Sequence, residues 1–426
     1  LIVMMSIDNP RQFLLDLYSS AISAVSAAKS LPQYLPKPVP GGRTIVIGAG
    51  KGAAAMAKAV EDHWQGDLTG LVVTRYEHGL PCKHIEVVEA SHPVPDAAGR
   101  DAAERMLKMV QGLTEKDVVI CLISGGGSAL LALPSKNISL EQKQQINRKL
   151  LRSGASISEM NCVRKHLSDI KGGRLALACA PAKVVTLMIS DIPGDDPGII
   201  ASGPTLPDPT TCEDALAILK KYQIDVPENV RKHLESGEGE TPKPGDSRFV
   251  RNESHIIATA QDALEAAANT ARENGVTPYI LSDCIEGEAR DIALMHAAIA
   301  RQVVQRGQPF QKPCVIISGG ETTVTVKGDG RGGRNAEFLL SLAIALNDQP
   351  GIYAIACDTD GIDGSEDNAG ALYAPGSISR AESQGIRPRK MLDNNDGYGF
   401  FSALNDLIVT GPSRTNVNDF RAILII

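Results

Sequence analysis

Residues 44–52 read TIVIGAGKG, and this stretch gives the clearest indication of the fold. A run of β-branched residues at 44–47 is followed by three closely spaced glycines and then by a helical pattern over 53–64. Apolar runs without alternating polar residues are typical of strands that are buried on both faces of a parallel sheet. The stretch therefore predicts a strand, a tight turn and a helix, which is the repeating unit of an α/β fold.

The same unit recurs along the chain in two series. The first series has predicted strands at 71–74, 118–123 and 184–189 and predicted helices at 10–29, 97–110, 140–153 and 170–178. The second has predicted strands at 255–259, 277–281, 315–318 and 352–356 and predicted helices at 260–274, 287–306 and 336–346. Residues 322–326 alternate like a strand in a hairpin, and the runs 407–410 and 422–426 could pair with either sheet.

A chain of 426 residues is too long for one ordinary core, so two domains are expected. Residues 227–251 are rich in proline, glycine and charge, a composition typical of a linker. We predict an N-terminal α/β domain over 1–235, a linker over 236–250 and a C-terminal α/β domain over 251–426, whose last strand could return to the first domain. Each domain is predicted to be a three-layer α/β/α, Rossmann-like fold with a mostly parallel sheet.

Charge and cysteine content limit the kinds of partner and compartment. The net charge of −7 argues against a nucleic-acid-binding protein, which would have a basic face. The eight cysteines form no CxxC pair and no Cys/His cluster, which indicates a reducing compartment and no structural zinc. Residues 1–5 are apolar but too few for a signal peptide or a membrane span. We expect a cytoplasmic protein without a membrane partner, either a monomer or a homodimer.

The glycine-rich turn after the first strand is the first candidate binding site. Gly48 and Gly50 could let backbone N–H groups approach an anion, and Lys51 adds a mobile positive charge. The turn is not a P-loop, because Gly52 replaces the required Ser or Thr. It fits a loose G-x-G-x-x-A pattern, but the next strand ends in Arg75, where an NAD-binding fold needs an acid. The alternative is a packing turn with a solvated lysine.

A second glycine-rich turn follows the predicted strand at 118–123. Three consecutive glycines between two hydroxyl residues create a run of N–H donors that is suited to an anion. A purely structural turn seldom needs three glycines, because each glycine costs backbone entropy on folding. The predicted anion-binding residues are Ser124, Gly125, Gly126, Gly127 and Ser128.

Two further segments of the first half carry charge. Residues 161–174 read NCVRKHLSDIKGGR and are dense in basic residues, of which Arg164 and Lys165 are candidates for binding a substrate carboxylate. A solvated helix face is the alternative. Ser190 and Asp191 follow the predicted strand at 184–189, and an aspartate just beyond a buried strand is well placed to bind Mg²⁺ or to accept a hydroxyl proton.

The second half of the chain contributes three polar loops. An arginine in a glycine-rich loop that opens a helix can bind a phosphoryl group with two N–H donors, and this describes Arg334 in GDGRGGRNAE, residues 328–337. Acidic residues after a strand are candidates for Mg²⁺ or substrate contacts. The other candidates are Gly319, Gly320, Glu321 and Thr322 after the strand at 315–318, Asn335 beside the arginine, and Asp358 and Asp360 in DTDGIDG.

Taken in order, these motifs resemble those of class II glycerate kinases, the glycerate 2-kinase family, whose C-terminal module is called MOFRL. The matching motifs are GAGKGAAAMA, EASHPVPD, SGGGSALL, VRKHLSDIKGGRLA, SDIPGDDPGIIASGPT, SGGETTVTV, GRGGRNAEF and DTDGIDG. The resemblance runs from about residue 43 to residue 419, nearly the whole chain.

The resemblance implies two α/β domains that face each other across a cleft, with ATP, Mg²⁺ and D-glycerate between them. It also implies phosphorylation of the 2-hydroxyl group. Lys51 matches the active-site lysine of the family, Arg334 the arginine of GGRN, and Asp360 the second acid of DTDG. Our hypothesis is that Arg334 stabilises the transferring phosphoryl group, while Asp191 or Asp360 orients the 2-hydroxyl. Asp191, Asp358 and Asp360 are the candidate Mg²⁺ ligands.

The chain departs from the family pattern at two places. Ala336 stands where the family usually has Gln, and Ser413 and Arg414 stand where Thr and Gly are common. We expect neither departure to touch the residues assigned to catalysis. Two competing functions are an NAD(P)H-dependent hydroxypyruvate reductase, a label that this family has also carried, and a two-lobed sugar-acid sensor. The first is favoured by the glycine turn and Arg75, but no convincing His–acid pair for hydride transfer is visible.

Overall fold

The computed structural model describes residues 8–426. The apolar residues 1–5 lie outside the described part of the chain. Within residues 8–426, no helix is both long enough and apolar enough to cross a membrane.

The strands of the described chain are mostly short and buried. They are β1 (Thr44–Ala49), β2 (Thr69–Arg75), β3 (Ile85–Ala90), β4 (Val118–Ile123), β5 (Lys183–Ile189), β6 (Glu253–Ala258), β7 (Thr277–Glu288), β8 (Cys314–Thr323), β9 (Ile352–Asp358), β10 (Gly370–Tyr373), β11 (Leu407–Ile408) and β12 (Asp419–Ile425).

The helices alternate with the strands over most of the chain. They are α1 (Pro10–Ala24), α2 (Ala27–Ser30), α3 (Ala53–His63), α4 (Ala97–Met109), α5 (Gly127–Leu130), α6 (Leu140–Ser153), α7 (Ile157–His166), α8 (Arg174–Cys179), α9 (Cys212–Lys221), α10 (Glu228–Glu235), α11 (Ala260–Glu273), α12 (Ala289–Arg306), α13 (Arg334–Leu346), α14 (Ser377–Ser383), α15 (Pro388–Asp393) and α16 (Gly397–Ala403).

The chain folds into two α/β units, as the sequence predicts. The N-unit comprises Ala27–Ile257 and the C-unit comprises residues 8–26 together with Ala258–Ile426. The predicted boundaries differ from these. Helix α1 belongs to the C-unit because it packs against α11, β9 and β12. The predicted linker at 236–250 lies within the N-unit, and β6, which follows it, joins the N-unit sheet.

The N-unit contains a six-stranded sheet in the order β3-β2-β1-β4-β5-β6, and the pairs from β3 to β5 are parallel. This is the strand order of dinucleotide-binding folds, in which the chain reverses direction across the sheet between β1 and β4. Open parallel sheets bind ligands at this reversal, beyond the carboxyl ends of the strands. The two glycine-rich turns of the sequence follow β1 and β4, so both lie at the reversal.

The C-unit sheet has the order β11-β10-β9-β12-β8-β7, and here the predicted parallel pairing is wrong. Only β7 and β8 pair in parallel, and the other four pairs are antiparallel. The reason is β12, which inserts between β8 and β9 and runs antiparallel to both. Strands β8 and β9 therefore do point the same way, as their connection through helix α13 suggests, but they are not neighbours.

The structure also decides three smaller expectations. Strand β8 ends at Thr323, so residues 324–326 do not continue a hairpin. Strand β12 stays in the C-unit sheet, which excludes its return to the N-unit sheet. The amphipathic pattern at residues 10–29 forms two helices, α1 and α2, rather than one.

Replacing Leu17 by Ala tests the packing of α1 against the rest of the C-unit. Leu17 is fully buried, so Leu17→Ala should lower the free energy of unfolding by about 2–5 kcal/mol, the usual cost of such a cavity. Leu151→Ala is the matched control, because Leu151 is largely exposed, and it should change stability little. Urea unfolding of both variants provides the measurement. Equal stabilities would contradict the packing of α1.

Candidate active site

The first glycine-rich turn packs tightly against the second. A Cβ atom on Gly50 would lie 2.1 Å from Ser124 Oγ, and one on Gly48 would lie 2.0 Å from the backbone oxygen of Leu122. Neither position leaves room for a side chain. Glycine is therefore required at both places because β1 and β4 bring two backbones into contact.

The backbone N–H groups of this first turn already have acceptors within the protein. Lys51 N donates to Gly125 O at 2.8 Å, and Gly52 N donates to Ser124 Oγ at 2.9 Å. Gly50 N donates to Val73 O at 3.0 Å. These amides cannot bind an anion without breaking those hydrogen bonds. The structure thus gives Gly48 and Gly50 a packing role in place of the predicted anion contact, and leaves the side chain of Lys51 as the cation of this turn.

The second turn keeps amides that have no acceptor among residues 8–426, namely those of Gly125 and Gly126. Gly126 has a left-handed backbone with φ of 80°, and a Cβ atom there would lie 3.4 Å from Lys51 Cγ. The lysine side chain therefore passes directly beside the second turn. At this turn, open amides and a cationic side chain lie together, which is the chemistry that binds a phosphate or a carboxylate.

Arg164 and Lys165 lie on the last turn of α7 but in different surroundings. Arg164 lines a cavity together with Lys143 and Lys171, which we call the cationic cavity. Lys165 instead donates to Asp208 Oδ1 at 3.2 Å and is almost fully buried. The structure therefore favours Arg164 over Lys165 as a substrate-binding cation.

The structure does not assign a binding role to Ser190 and Asp191, the predicted pair after β5. Ser190 is buried, and its Oγ accepts a hydrogen bond from Ile192 N at 3.5 Å. Asp191 is half-buried at the carboxyl end of the strand, and its role in metal or proton binding stays a prediction.

Arg334 is the centre of a carboxylate cluster in the C-unit. It is the first residue of α13, and its guanidinium group donates to Asp419 Oδ1 at 2.6 Å, to Asp358 Oδ2 at 3.0 Å and to Glu321 Oε1 at 3.2 Å. These acids belong to β12, β9 and β8. Burial alone would lower the pKa of Arg334, but the three negative charges raise it above its ordinary value. The side chain remains 23% exposed, so a ligand can reach it.

Asp419 is fully buried and links this cluster to a second arginine. Arg421, two residues along β12, forms an ion pair with Asp419 and donates to Gly319 O at 3.1 Å. Thr322 N donates to Asp419 Oδ2 at 3.1 Å, and Asn335 Nδ2 donates to Asp419 Oδ1 at 2.9 Å. Although burial opposes it, the charges of Arg421 and Arg334 lower the pKa of Asp419. The carboxylate therefore stays ionised inside the unit and positions the residues around it.

The remaining predicted residues of β8 are partly structural. A Cβ atom on Gly320 would lie 2.2 Å from Ile285 O, so glycine is required for pairing with β7. Gly319 contributes its carbonyl group to Arg421 and is close to the backbone of Asp419.

The acidic loop after β9 packs around the start of α13. Asp363 accepts from the backbone N–H groups of Asn335 and Ala336 at 2.9 and 2.8 Å, which satisfies the first amides of the helix. Burial raises the pKa of Asp363 to about 6. Asp358 Oδ1 accepts from Asp360 N at 3.0 Å, so the two candidate metal ligands share one tight turn.

Comparisons with known proteins agree with this architecture. Residues 13–235 match the model of a domain of unknown function, DUF4147, and residues 314–419 match that of the MOFRL family. A D-glycerate 2-kinase of Thermotoga maritima is 40% identical over 98% of this chain and 98% of its own length. The crystal structure of the glycerate kinase from that organism superimposes with a TM-score of 0.88, covering 97% of this chain and 99% of the other.

The chain belongs to the glycerate 2-kinase family. By family it is a phosphotransferase that acts on an alcohol group. A protein of Agrobacterium vitis that carries a provisional name as a hydroxypyruvate reductase is 53% identical over 97% of this chain and 94% of its own length. The names D-glycerate 2-kinase and hydroxypyruvate reductase are given to relatives that match nearly the same residues of this chain, so both names occur within one family.

Both departures from the glycerate 2-kinase pattern have a structural setting. Ala336 is fully buried, and a Cβ atom on Gly397 would lie 2.9 Å from its methyl group, so these two small residues pack closely together. Ser413 N donates to Asp360 O at 2.9 Å, and Arg414 has a left-handed backbone with φ of 61°. The second departure therefore does contact a residue assigned to catalysis, contrary to our expectation from the sequence.

Sequence reasoning missed several residues that the glycerate 2-kinase fold brings into these sites. Asp419 and Arg421 could have been found, because two opposite charges two positions apart interrupt an otherwise apolar strand. Lys143 could also have been found, because it shares the buried face of α6 with Ile146 and Leu150. Asp363 gave no such signal, since nothing in DTDGIDG distinguishes the acid that caps a helix from those that face a ligand.

Arg421→Met tests the buried charge pair of the C-unit. Removing one partner should leave Asp419 with one compensating guanidinium group instead of two and lower the free energy of unfolding by about 3–5 kcal/mol. Arg331→Met is the control, because Arg331 forms an exposed ion pair with Glu366 and should contribute little. Urea unfolding followed by circular dichroism gives both values. If Arg421→Met were as stable as Arg331→Met, Asp419 would not depend on Arg421.

Proposed function

We propose that this protein is an ATP-dependent D-glycerate 2-kinase, which transfers the γ-phosphoryl group of ATP to the 2-hydroxyl group of D-glycerate. Membership of the family supports phosphoryl transfer to an alcohol, and the Thermotoga maritima relative named D-glycerate 2-kinase supports the substrate and the position. We also propose a cytoplasmic location, which the eight unpaired cysteines favour.

The observation that carries this proposal is the arrangement around Arg334. Phosphoryl transfer needs positioning and charge neutralisation more than covalent chemistry. Two of the partners of Arg334, Asp419 and Asp358, are buried and hold the guanidinium plane in place. The third partner, Glu321, is 48% exposed and makes the longest of the three hydrogen bonds. Nη1, which faces Glu321, is therefore the group that can exchange its acceptor for a phosphoryl oxygen.

The donor set of the C-unit fits a magnesium ion. Five carboxylates lie around two guanidinium groups, and the surplus of negative charge and of oxygen ligands suits a hard divalent cation. These are Glu321, Asp358, Asp360, Asp363 and Asp419. Asp363 is committed to the start of α13, so Asp358 and Asp360 are the proposed ligands, with Asp191 a further candidate. When bound, Mg²⁺ would neutralise charge on the phosphate oxygens of ATP.

The N-unit has its own polar groups that suit the proposed substrates. Lys51 and the open amides of Gly125 and Gly126 would bind phosphate oxygens of ATP. The 2-hydroxyl group of glycerate needs an oxygen acceptor that orients it for attack, and Asp360 or Asp191 would supply it.

The hydroxypyruvate reductase alternative has support from a relative's provisional name and from the strand order of the N-unit sheet. A dinucleotide site, however, needs the amides of its glycine turn for the pyrophosphate. Those amides donate to Gly125 O, Ser124 Oγ and Val73 O instead. The kinase therefore fits the geometry of this turn better.

Phosphorus NMR distinguishes these functions. Full-length protein incubated with ATP, Mg²⁺ and D-glycerate should give the phosphate-monoester signal of 2-phosphoglycerate. A 3-phosphoglycerate signal would keep the kinase and overturn the position. If folded protein consumed no ATP but oxidised NADPH in the presence of hydroxypyruvate, the reductase would replace the kinase.

Arg334→Ala tests the residue on which the proposal depends. Loss of a preorganised charge contact to the transition state should lower kcat by about 10²–10³-fold. Arg331→Ala, three residues earlier in the same loop, is the control and should keep kcat, since Arg331 pairs with Glu366 at the surface. Steady-state rates with both substrates saturating provide the comparison, after circular dichroism has established that each variant is folded. Wild-type kcat in Arg334→Ala would remove Arg334 from the mechanism.

A further inference from the structure

The cationic cavity of the N-unit collects four lysine and arginine side chains, with His92 beside them, and no acidic side chain. It has a volume of about 240 Å³ and is lined by Lys143, Arg148, Arg164 and Lys171 among other residues. None of the described residues that line it carries a carboxylate. Like charges gathered in one cavity repel each other, so the arrangement is unfavourable until a negative charge enters.

Lys143 is the most unusual of the four. It lies on the buried face of α6, is 4% exposed, and its Nζ has no hydrogen-bond partner among residues 8–426. A buried ammonium group without a partner is costly, and an anion in the cavity would supply the missing partner. The second buried lysine of the cavity, Lys171, is 1% exposed and donates to Ser128 O at 2.7 Å.

Burial and the neighbouring charges together set the pKa of Lys143. Burial has the largest effect and lowers the pKa of Lys143 to about 7. Asp169 opposes this shift, whereas Arg164 and Arg174 add to it. The same causes act on Lys171, whose pKa is lowered by burial and by the charges of Lys143 and Arg164. In the empty cavity Lys143 is therefore partly uncharged near neutral pH.

The cavity adjoins the turn that carries Lys51. Gly126 belongs to both: it lines the cavity, and a Cβ atom on it would lie 2.9 Å from His92 Cδ2 and 3.4 Å from Lys51 Cγ. A volume of about 240 Å³ is below the range of about 300–1,000 Å³ that is typical for larger ligands. The cavity thus suits a small acid next to the proposed phosphate-binding turn, and not a whole nucleotide.

We propose that the cationic cavity binds the carboxylate of the hydroxy-acid substrate, and that Lys143 takes up a proton when this anion enters. The identity of the acid rests on the proposed function. Arg164 and Lys171 share the carboxylate charge, and Arg148 stands at the exposed edge of the cavity. Lys165, the other cation considered from the sequence, is committed to Asp208.

The proposal has a definite pH dependence. The anion binds the protonated form of Lys143 and raises its pKa in the complex, so binding is strongest below about pH 7. Above this pH the free protein must take up a proton to bind, and the affinity falls by up to about tenfold per pH unit. Replacing Lys143 should remove this dependence, whereas a purely structural role would leave it unchanged.

Lys143→Met is the test, with Lys149→Met as the matched control. Both lysines are on α6, but Lys149 is exposed and donates to Asp225 O at 2.6 Å. At saturating ATP, Lys143→Met should raise KM for D-glycerate by about 10–100-fold, the effect of losing a charge-assisted hydrogen bond, and leave KM for ATP unchanged. The rise of KM for D-glycerate between about pH 6.5 and about pH 8.5 should be present in the wild type and in Lys149→Met and absent in Lys143→Met.

The stability of Lys143→Met separates binding from folding. Since the substitution removes a buried charge without a partner, its melting temperature should equal or exceed that of the wild type. An unchanged KM for D-glycerate in Lys143→Met would overturn the proposal. A raised KM for ATP alone would also overturn it, because the anion in the cavity would then be a phosphate of the nucleotide.

Failure of the kinase reaction itself would be recognised separately. If the wild type transferred no phosphoryl group, titration calorimetry with D-glycerate and with inorganic phosphate would measure the cavity directly. Binding of D-glycerate with proton uptake in the wild type, weakened in Lys143→Met, would support the carboxylate site without the kinase. Equal binding by both proteins, binding of phosphate alone, or no binding would overturn the carboxylate site.

Discussion

The C-unit depends on one buried carboxylate, that of Asp419. It lies at the start of a strand that occupies the middle of the sheet, between β8 and β9, and it accepts hydrogen bonds or ion pairs from residues of β8, α13 and β12 itself. A buried charge of this kind persists only when its partners surround it fully. Because Arg334 is one of those partners, the group that would bind a phosphoryl oxygen is held in place by the fold of the entire unit.

In the N-unit, backbone packing rather than a buried charge holds the candidate site in place. Its two glycine-rich turns meet at the reversal of strand order, where Gly48 and Gly50 leave no room for side chains. The amides of Lys51 and Gly52 in the first turn donate to the second turn, whereas the amides of Gly125 and Gly126 in the second turn have no acceptor among residues 8–426. The pair of turns thus fixes the direction of Lys51 and leaves a cavity beside it in which positive charge accumulates.

The sequence predicted the parts of this fold that depend on local pattern. Strands β1, β4 and β5 and the helices α3, α4 and α6 follow from apolar runs and glycine turns, and Lys51 and Arg334 follow from motif spacing. Long-range pairing was not predictable in the same way. The position of β12 depends on β8 and β9 leaving a gap, which no local pattern records, and the parallel pairing expected for the C-unit sheet was wrong for that reason.

The sequence also could not show which polar groups remain available for a ligand. Arg164 and Lys165 are adjacent and chemically alike, but the turn of α7 directs one into the cationic cavity and the other to Asp208. The glycines of the first turn look like an anion site until the acceptors of their amides are known. Only the three-dimensional arrangement distinguishes a donor that is already bonded from one that is open.

The central place of β12 has a consequence for biosynthesis. Helix α1, the first described element to leave the ribosome, packs against β12, the last one. The N-unit lies between them along the chain and can complete its own sheet while the C-unit still lacks its middle strand. During synthesis the N-unit can therefore fold first, and α1 can pack against α11 and β9 once they emerge, but its contact with the middle of the C-unit sheet forms only when β12 has been made.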